Sequence, residues 1–213
     1  MDFKRPPKEL IEELKKYDTS GFSDAFDEIG FHGVITGVFP LTQGMKMVGP
    51  AVTTLERDIR PTAKTIDSGK AVDICEPGDI FVIDAAGAQA GTWGGLMTLR
   101  AKWKGITGII IDGCTRDAAE IRAENYPCWV SGLVPYSVVT RLKTLSINEP
   151  VMMRGVPVKP GDIILADDDG AIVCPQDLLD EVLPRVRRHF EWEQKTKDEL
   201  RRGVTDSFKK RVT

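Results

Sequence analysis

Short apolar runs alternate with helical patterns between residues 80 and 130, and this alternation restricts the possible fold more than any other feature of the chain. Ile80–Ile83, Ile109–Ile111 and Cys128–Val130 have the length and apolar character of buried strands. The patterns Leu96–Lys104 and Asp117–Glu124, which lie between them, are predicted helices. Strands that alternate with helices in this way predict an α/β domain.

Elements outside this stretch are predicted from helical spacing, alternation and turn residues. Turns are expected at Pro77-Gly78 and Pro160-Gly161, because proline fixes one backbone angle and glycine accepts a positive φ. No change in composition marks a linker, so a single domain over residues 1–213 is expected. The further predicted elements are helices over 7–16, from Ser23 or Asp24 to Ile29, over Lys64–Cys75 and over about 176–202, a strand over Met45–Leu55, and a hairpin of Ile163–Leu165 with Ala171–Cys174.

The composition excludes several functional classes. With 213 residues, 41% hydrophobic residues and a net charge of -3, the chain has enough material for one substantial core. Acidic and basic residues are mixed, and no basic stripe indicates a nucleic-acid partner. No apolar run is long enough for a membrane span, and residues 1–7 lack the apolar core of a signal peptide. We therefore expect a cytoplasmic protein without a membrane or nucleic-acid partner.

Cysteine and histidine are poor candidates for the chemistry of this chain. The cysteines form no C-x-x-C pair and lie near apolar segments, so they are predicted to be buried reduced thiols rather than zinc ligands. The two histidines, His32 and His189, are too few and too far apart for a histidine-based metal site. We expect the chemistry to depend on carboxylates, arginine, lysine or a metal ion. The four cysteines are Cys75, Cys114, Cys128 and Cys174.

The turn Gly113-Cys114-Thr115-Arg116-Asp117, which follows the isoleucine run, is the first candidate site. Gly113 allows a sharp turn. Arg116 can bind a carboxylate through two parallel hydrogen bonds, and Asp117 can hold a hard divalent cation. The pair suggests a site for an anionic, metal-chelating small molecule such as a 2-keto acid. The alternative is structural: Asp117 caps the following helix and Arg116 stays in solvent.

A glycine-rich segment from Ala85 to Leu96 is the second candidate site. It is predicted as a loop after a strand ending at Asp84, and its backbone N–H groups precede a helix, where they can bind an anion. The alternative is a flexible loop that tolerates small residues. Trp93 could flank a ligand, but a single aromatic residue is more typical of packing. Both segments follow consecutive predicted strands, whose carboxyl ends converge on ligand sites in α/β folds, so a shared site is expected.

Two charged groups are predicted to carry no chemistry. Asp167-Asp168-Asp169-Gly170 lacks the further ligands and the terminal glutamate of a calcium loop, so a hairpin turn with solvated acids is favoured. The basic residues Arg185, Arg187 and Arg188 are typical of a solvated helix face.

The segment Gly94-Gly95-Leu96-Met97, followed by Gly113-Cys114-Thr115-Arg116-Asp117, resembles the RraA-like family. This family includes class II 4-hydroxy-4-methyl-2-oxoglutarate / 4-carboxy-4-hydroxy-2-oxoadipate aldolases and proteins that regulate ribonuclease E. The resemblance implies a three-layer β/β/α fold of the swivelling-domain type with a core at about 19–175 and N- and C-terminal helices, assembled as a trimer or hexamer. Further segments in the family's order are Ser23-Asp24-Ala25, Gly49-Pro50-Ala51-Val52-Thr53, Pro77-Gly78-Asp79, and Pro160-Gly161-Asp162 through Asp169-Gly170.

The resemblance also implies roles for individual residues. Arg116 would bind the pyruvyl part of the substrate, and the backbone of Gly94–Met97 would contact the same carboxylate or keto group. Asp117 would be the main protein ligand of Mg²⁺ or Mn²⁺, with waters completing the shell. The chain departs from the family at Gly95, where many relatives carry an acidic residue that helps to orient metal-bound water. Some relatives use a glutamate from a neighbouring subunit's C-terminal region, for which the candidates are Glu191, Glu193 and Glu199.

Functions from two classes follow from the resemblance. The first is a metal-dependent lyase that cleaves 4-hydroxy-2-oxo diacids to pyruvate and a second keto acid. Loss of CO₂ from oxaloacetate yields the same pyruvate enolate, so one site could perform both reactions. The second is a non-catalytic regulator that binds a ribonuclease or another protein. Arg116 and Asp117 favour the lyase, because a regulator would not need them. A lyase for sugar acids or other keto acids on the same scaffold would differ only in its substrate.

Overall fold

The computed structural model describes residues 3–58, 66 and 68–204. A short 3₁₀ turn, Gln176–Leu178, precedes the last helix. The helices are α1 (Lys8–Leu14), α2 (Thr19–Ile29), α3 (Ser68–Asp73), α4 (Gly95–Lys104), α5 (Ala118–Ala123) and α6 (Leu179–Arg201). The strands are β1 (Val34–Ile35), β2 (Phe39–Pro40), β3 (Met47–Arg57), β4 (Ile80–Gly91), β5 (Gly108–Thr115), β6 (Cys128–Leu133), β7 (Lys143–Ile147), β8 (Val151–Met153), β9 (Val156–Val158), β10 (Ile163–Asp167) and β11 (Gly170–Cys174).

One mixed sheet organises this part of the chain. Its strand order is β1-β11-β10-β3-β4-β5-β6-β2, and β7 pairs with β3. The strands β3, β4, β5 and β6 are parallel neighbours, and α3, α4 and α5 provide the crossovers that such strands require. The isoleucine run lies in β5 and is buried, as expected for a strand covered on both faces.

The strand β3 belongs to both parts of this sheet. Residues 47–50 pair with β10 in antiparallel register, while residues 51–55 pair with β4 in parallel register. Gly49 lies where the two parts meet, and a Cβ at this position would overlap the carbonyl oxygen of Gly78. Gly49 and Pro50 therefore lie at the transition from one part of the sheet to the other.

Three hydrophobic clusters define the layers. The first lies between α3, α4 and α5 and one face of the parallel strands. The second involves strands, with β4, β5 and β6 on one side and β8, β9, β10 and β11 on the other. The third packs α1, α2 and α6 on the outer face of β10 and β11. This arrangement confirms the expected β/β/α fold with terminal helices outside the second strand layer.

The predicted helices are present with shifted ends. α2 begins at Thr19, rather than at Ser23 or Asp24, because the side chain of Asp18 accepts a hydrogen bond from the Gly21 N–H at 2.9 Å. Of the helix predicted over Lys64–Cys75, α3 covers Ser68–Asp73, and Ile66 forms a β-bridge with Thr144. Lys64, Thr65 and Asp67 lie outside the described residues. The helix predicted over about 176–202 is observed as the 3₁₀ turn and α6.

The hairpin of β10 and β11 is confirmed, but one of its acids is not solvated. Asp167 accepts hydrogen bonds from the backbone N–H of Thr19 at 2.8 Å and from its hydroxyl at 2.7 Å. Asp168 accepts from the Gly44 N–H at 2.9 Å. Asp167 therefore ties the start of α2 to the hairpin, a long-range contact that local spacing does not reveal.

All four cysteines are buried and free, as predicted. Burial raises the pKa of Cys75, Cys128 and Cys174 to about 12, and it also raises the pKa of Cys114. Thiols with raised pKa values stay protonated at neutral pH and are poor nucleophiles and metal ligands. In the described residues, no helix is both long enough and apolar enough to cross a bilayer.

Glu56 on β3 is a buried acid that the sequence analysis did not single out. Its exposed fraction is 3%, and its Oε2 atom has no hydrogen-bond partner within the described residues. Burial raises the pKa of this carboxyl from 4.5 to about 7, against the opposing effect of a hydrogen bond with Thr144. The folded protein therefore binds more protons than the unfolded chain between these two pH values, and the free energy of unfolding falls as pH rises through this window.

Replacing Glu56 by glutamine is expected to stabilise the protein at neutral to basic pH. At pH values above the raised pKa of Glu56, the shift corresponds to about 3 kcal/mol of unfolding free energy, which glutamine would recover. Below the ordinary carboxyl pKa, the variant and the unaltered protein should be equally stable. Urea unfolding at about pH 4.5 and about pH 8 measures this difference. A variant whose stability changes by the same amount at both pH values would show that the Glu56 charge is not responsible.

Candidate functional site

The glycine-rich segment is a strand over most of its length. β4 continues to Gly91, and its register against β5 shifts between Asp84 and Ala88 and again between Ala88 and Gly91. Residues 92–94 are all that connect β4 to α4. The prediction of a loop over Ala85–Leu96 is therefore wrong for residues 85–91. The segment stays in the strand because the two register shifts accommodate the extra residues while β4 remains paired with β5.

The turn after the isoleucine run is also shorter than predicted. Gly113, Cys114 and Thr115 belong to β5, so Arg116 and Asp117 alone connect it to α5. A Cβ at Gly113 would lie 3.0 Å from the Cβ of Ala85. Gly113 therefore permits close approach of β4, rather than a sharp turn of its own chain.

Hydrogen bonds hold the 92–94 connection against the end of β5. The Thr92 N–H donates to the carbonyl of Cys114 at 3.0 Å, and the Arg116 N–H donates to the carbonyl of Trp93 at 3.1 Å. The hydroxyl of Thr115 donates to the same Trp93 carbonyl at 3.0 Å. The two candidate segments are thus joined at one point, as the convergence of consecutive strands predicts.

Trp93 fixes the 92–94 connection by packing into the hydrophobic core beneath α4. It is 2% exposed, its ring packs against Phe81 with centroids 5.5 Å apart, and its Nε1 donates to the Thr98 hydroxyl at 2.8 Å. The packing role considered for Trp93 is therefore confirmed. A buried aromatic ring with its polar atom satisfied fixes the start of α4 firmly relative to the sheet.

Asp117 turns its side chain away from its own helix. Its backbone is left-handed, with φ 56° and ψ 35°, a conformation that aspartate tolerates better than most residues. The carboxylate does not cap α5; its Oδ2 accepts a hydrogen bond from the Gly95 N–H at 3.2 Å. The alternative in which Asp117 caps the following helix is therefore wrong. The positive end of the α4 dipole favours a carboxylate at this place.

Arg116 lies beside this carboxylate with its side chain 43% exposed. Its Nε is 3.6 Å from the Asp117 Oδ2. A Cβ at Gly91 would lie 3.0 Å from the Cβ of Arg116 and 3.1 Å from its Cγ, so the aliphatic stem passes directly over that glycine. A guanidinium carries five donors in a planar fork, so one ion pair leaves donors for an incoming anion.

The start of α4 completes the arrangement. A Cβ at Gly94 would lie 2.5 Å from the Asp117 Oδ2, so glycine is needed for the carboxylate to approach. The first N–H groups of a helix have no acceptor within it, so those of Leu96 and Met97 can donate to a ligand at the start of α4. The Leu96 side chain is 83% exposed, whereas Met97 packs against the core. The structure thus brings Arg116 and Asp117 together with Gly94 and Gly95, and Leu96 and Met97 follow in the first turn of α4.

The donors at this corner fit a hydrated divalent cation. Mg²⁺ commonly binds one or two carboxylates and keeps several waters, and Asp117 offers one carboxylate with a side chain 35% exposed to solvent. Groups of three or more His, Cys, Asp or Glu side chains arranged for a metal ion are absent from the described residues. A cation here would therefore depend on Asp117, waters and substrate oxygens rather than on a closed protein cage.

The three glutamates considered on the C-terminal helix do not join this corner within one chain. α6 packs on α2 and on the outer face of β10 and β11, whereas α4 and α5 cover the opposite side of the molecule. Glu193 forms an ion pair with Lys197 at 2.6 Å. A contribution from Glu191, Glu193 or Glu199 would have to come from a neighbouring subunit.

Sequence reasoning missed Glu120 as a residue of this corner. A Cβ built on Gly95 would overlap its Oε2 and lie 3.0 Å from its Cδ. Asp117 precedes α5 in a left-handed conformation, so helical spacing does not place the two acids together, and no local pattern in the sequence indicates the approach of Glu120 to Gly95.

A family model described as Aldolase/RraA, of the RraA-like type, matches residues 19–173, which include every residue of the corner. The chain belongs to the RraA-like family. The resemblance on which the sequence analysis relied is thereby confirmed for the family, and the match covers β1–β10 and most of β11.

Individual relatives cover most of the chain. A Halalkalibacterium halodurans protein named "Putative 4-hydroxy-4-methyl-2-oxoglutarate aldolase" is 31% identical over 203 residues, which are 93% of this chain and 90% of that protein. Legionella pneumophila protein DlpA is 33% identical over 96% of this chain, which spans only 35% of DlpA. The crystal structure of Streptomyces coelicolor RraAS2, described as an unusual member of the RNase ES inhibitor RraA protein family, superimposes with a TM-score of 0.85 at 31% identity, covering 92% of this chain and 99% of that one.

Proposed function

We propose that this RraA-like chain is a divalent-metal-dependent carbon–carbon lyase. Its substrates would be 4-hydroxy-2-oxo diacids such as 4-hydroxy-4-methyl-2-oxoglutarate, cleaved to pyruvate and a second keto acid. The observation that carries the proposal is the pair Arg116 and Asp117 at the end of β5, with the Asp117 carboxylate turned to the start of α4. The name of the Halalkalibacterium halodurans relative supports the same reaction class.

Arg116 would bind the carboxylate next to the keto group of the substrate. Two parallel N–H donors of its guanidinium match a carboxylate, which fixes both the position and the plane of the pyruvyl part. The C4 hydroxyl of the substrate loses its proton to water at the site and becomes the carbonyl of the second keto acid. The electron pair of the broken C3–C4 bond stays on the pyruvyl fragment as an enolate, so negative charge grows on the keto oxygen. The fixed positive charge of Arg116 favours this change.

Asp117 would hold the divalent cation beside that keto oxygen. The bound cation would supply Lewis-acid stabilisation for the developing enolate charge. Asp117 keeps its carboxylate in place through the Gly95 N–H and its left-handed backbone. The backbone N–H groups of Leu96 and Met97 would donate to substrate oxygens at the same corner. Decarboxylation of oxaloacetate is included in the proposal, because it produces the same enolate.

A coupled pyruvate-release assay tests the function directly. The substrates are a panel of 4-hydroxy-2-oxo acids together with oxaloacetate, with Mg²⁺, with Mn²⁺ and with a chelator. The proposal predicts metal-dependent pyruvate release from at least one diacid of the panel. Complete inactivity across the panel with either metal would overturn it.

A regulator that binds a ribonuclease is the second candidate function. The observation that favours it is the similarity to Streptomyces coelicolor RraAS2, whose description names RNase ES inhibition. Inhibition of a ribonuclease E-type enzyme by the inactive variant Asp117→Ala, at the same strength as by the unaltered chain, would support this function independently of the lyase site.

The exposed face of α4 supports a homo-oligomer, which we propose to be a trimer. Leu96, Leu99 and Trp103 lie at positions i, i+3 and i+7, so their side chains share one helical face. They are 83%, 48% and 86% exposed. An apolar helical stripe of this kind marks a contact surface, and it begins at the site itself, so a second copy of the chain seated on it would border Arg116 and Asp117.

Replacing both Leu96 and Trp103 by serine is expected to convert the oligomer to monomers. Burial of these side chains would supply part of the association free energy, at about 25 cal/mol per Å² of apolar surface. Light scattering should give about three times the chain mass for the unaltered protein and the single-chain mass for the variant. Met152→Ser, which alters a half-exposed residue of β8, is the control that should remain oligomeric. A monomeric unaltered protein would contradict the proposed assembly.

A further inference from the structure

Glu120 projects from the first turn of α5 towards the start of α4. Its Oε2 atom lies in the space that a Cβ of Gly95 would occupy. The left-handed backbone at Asp117 directs its carboxylate to the N–H of Gly95. The two carboxylates therefore approach the same glycine, one at its N–H and the other at its Cα.

The space beside Gly95 is filled by the Glu120 side chain. A Cβ on Gly95 would overlap the Glu120 Oε2 and would lie 3.0 Å from its Cδ and 3.3 Å from its Cβ. Any side chain at residue 95 would have to displace this carboxylate. A side chain at residue 95 and the Glu120 carboxylate would thus occupy the same space beside Asp117, and in this chain Glu120 fills it.

The Glu120 carboxylate has no structural partner that explains its position. Glu120 is exposed, and its side chain makes no hydrogen bond or ion pair with other described residues. The neighbouring charged groups on the same helix are engaged elsewhere: Arg122 donates to the carbonyl of Leu41, and Glu124 pairs with Lys102. Two carboxylates at one glycine repel each other unless a positive charge lies nearby, which here is Arg116 or a bound cation.

We propose that Glu120 is the second carboxylate of the site, a positioning residue that binds the water shell of the cation held by Asp117. This inference rests on the proposed function for its cation. A carboxylate that accepts hydrogen bonds from a cation's waters orients them and adds to the affinity for the metal. Glu120 would do so from α5, at the position that a side chain of residue 95 would otherwise occupy.

Mn²⁺ binding, measured by electron paramagnetic resonance of the free ion, tests the inference without reference to catalysis. Glu120→Gln keeps the shape of the side chain and removes its charge, and it is expected to weaken Mn²⁺ binding about tenfold, in the range seen when groups behind metal ligands are removed. Glu124→Gln removes a charge from the end of the same helix and should change the affinity by less than twofold. Glu120→Gln with unaltered affinity would overturn the inference.

A double variant tests whether the position of the carboxylate, rather than the general charge, is what matters. Glu120→Ala alone should lose affinity, whereas Gly95→Asp combined with Glu120→Ala returns a carboxylate to the vacated space. The double variant is expected to recover Mn²⁺ binding to within about threefold of the unaltered protein. An affinity of the double variant equal to that of Glu120→Ala would contradict the assignment.

Pyruvate release separates this inference from the proposed function. If Glu120 positions waters, Glu120→Gln should lower kcat about tenfold and leave the KM for the substrate nearly unchanged, because Arg116 still binds the carboxylate. Unaltered protein that binds Mn²⁺ in a Glu120-dependent way but releases no pyruvate would refute the function and leave the site assignment intact. Unaltered protein that binds no Mn²⁺ would refute both.

Discussion

Replacing Asp117 by alanine is expected to lower the rate of pyruvate release by about a hundredfold or more, and a chelator should have the same effect on the unaltered protein. Asp117 is the carboxylate that the turn after β5 aims at the corner, and no group of three metal-ligating side chains exists elsewhere in the described residues to replace it. Without it, the developing enolate charge would lose its Lewis-acid stabilisation. The rate is measured by the coupled pyruvate assay with saturating Mg²⁺.

The backbone at Asp117 dictates the control for this experiment. Alanine is strained at φ 56°, so Asp117→Ala alters both the charge and the backbone preference. Asparagine tolerates the same left-handed conformation, so Asp117→Asn removes the charge alone and should lose nearly as much activity. Asp169→Ala, in the β10–β11 hairpin, should keep normal rates. Full activity of metal-free protein would refute the lyase.

Replacing Arg116 by lysine is expected to cost roughly 2–4 kcal/mol of transition-state stabilisation, even though the charge is kept. Lysine is a point charge on a flexible stem and cannot present two parallel donors to a carboxylate. This loss corresponds to a fall in kcat/KM of roughly 30- to 1000-fold for pyruvate release.

A matched arginine variant on the next helix controls for general effects of the substitution. Arg122 lies on α5 and donates from its Nε to the carbonyl of Leu41 at 3.1 Å, away from the corner. Arg122→Lys should retain kcat/KM within a few-fold. Near-normal kcat/KM for Arg116→Lys would show that Arg116 has a structural role only.

Much of the fold was predictable because its elements carry strong local signals. The isoleucine run of β5, the Pro-Gly turns before β4 and β10, and the spacing of α4 and α5 each identify an element within a few residues. The order of strands and helices then leads to the α/β class. The family was identified from Gly94–Met97 and Gly113–Asp117, and the family model that matches residues 19–173 confirms it.

The errors arose where non-local pairing decides the structure. Residues 85–91 have the composition of a loop, yet pairing with β5 keeps them in β4. Asp117 has the sequence position of a helix cap, yet the N–H of Gly95 on another helix takes its carboxylate. The approach of the Glu120 carboxylate to Gly95 depends on how α5 packs against α4, and no local sequence pattern reveals that packing.

The shared strand β3 has a mechanical consequence for the whole molecule. Residues 47–50 and 51–55 are consecutive, but they hydrogen-bond to different layers, β10 on one side and β4 on the other. A rotation between residues 50 and 51 would leave both ladders intact, but it would separate the buried side chains packed between the two layers, so rigid-body closure of one layer over the other is disfavoured. Opening of the corner for substrate entry or product release would therefore depend on local movements, such as rotation of the half-exposed Arg116 side chain.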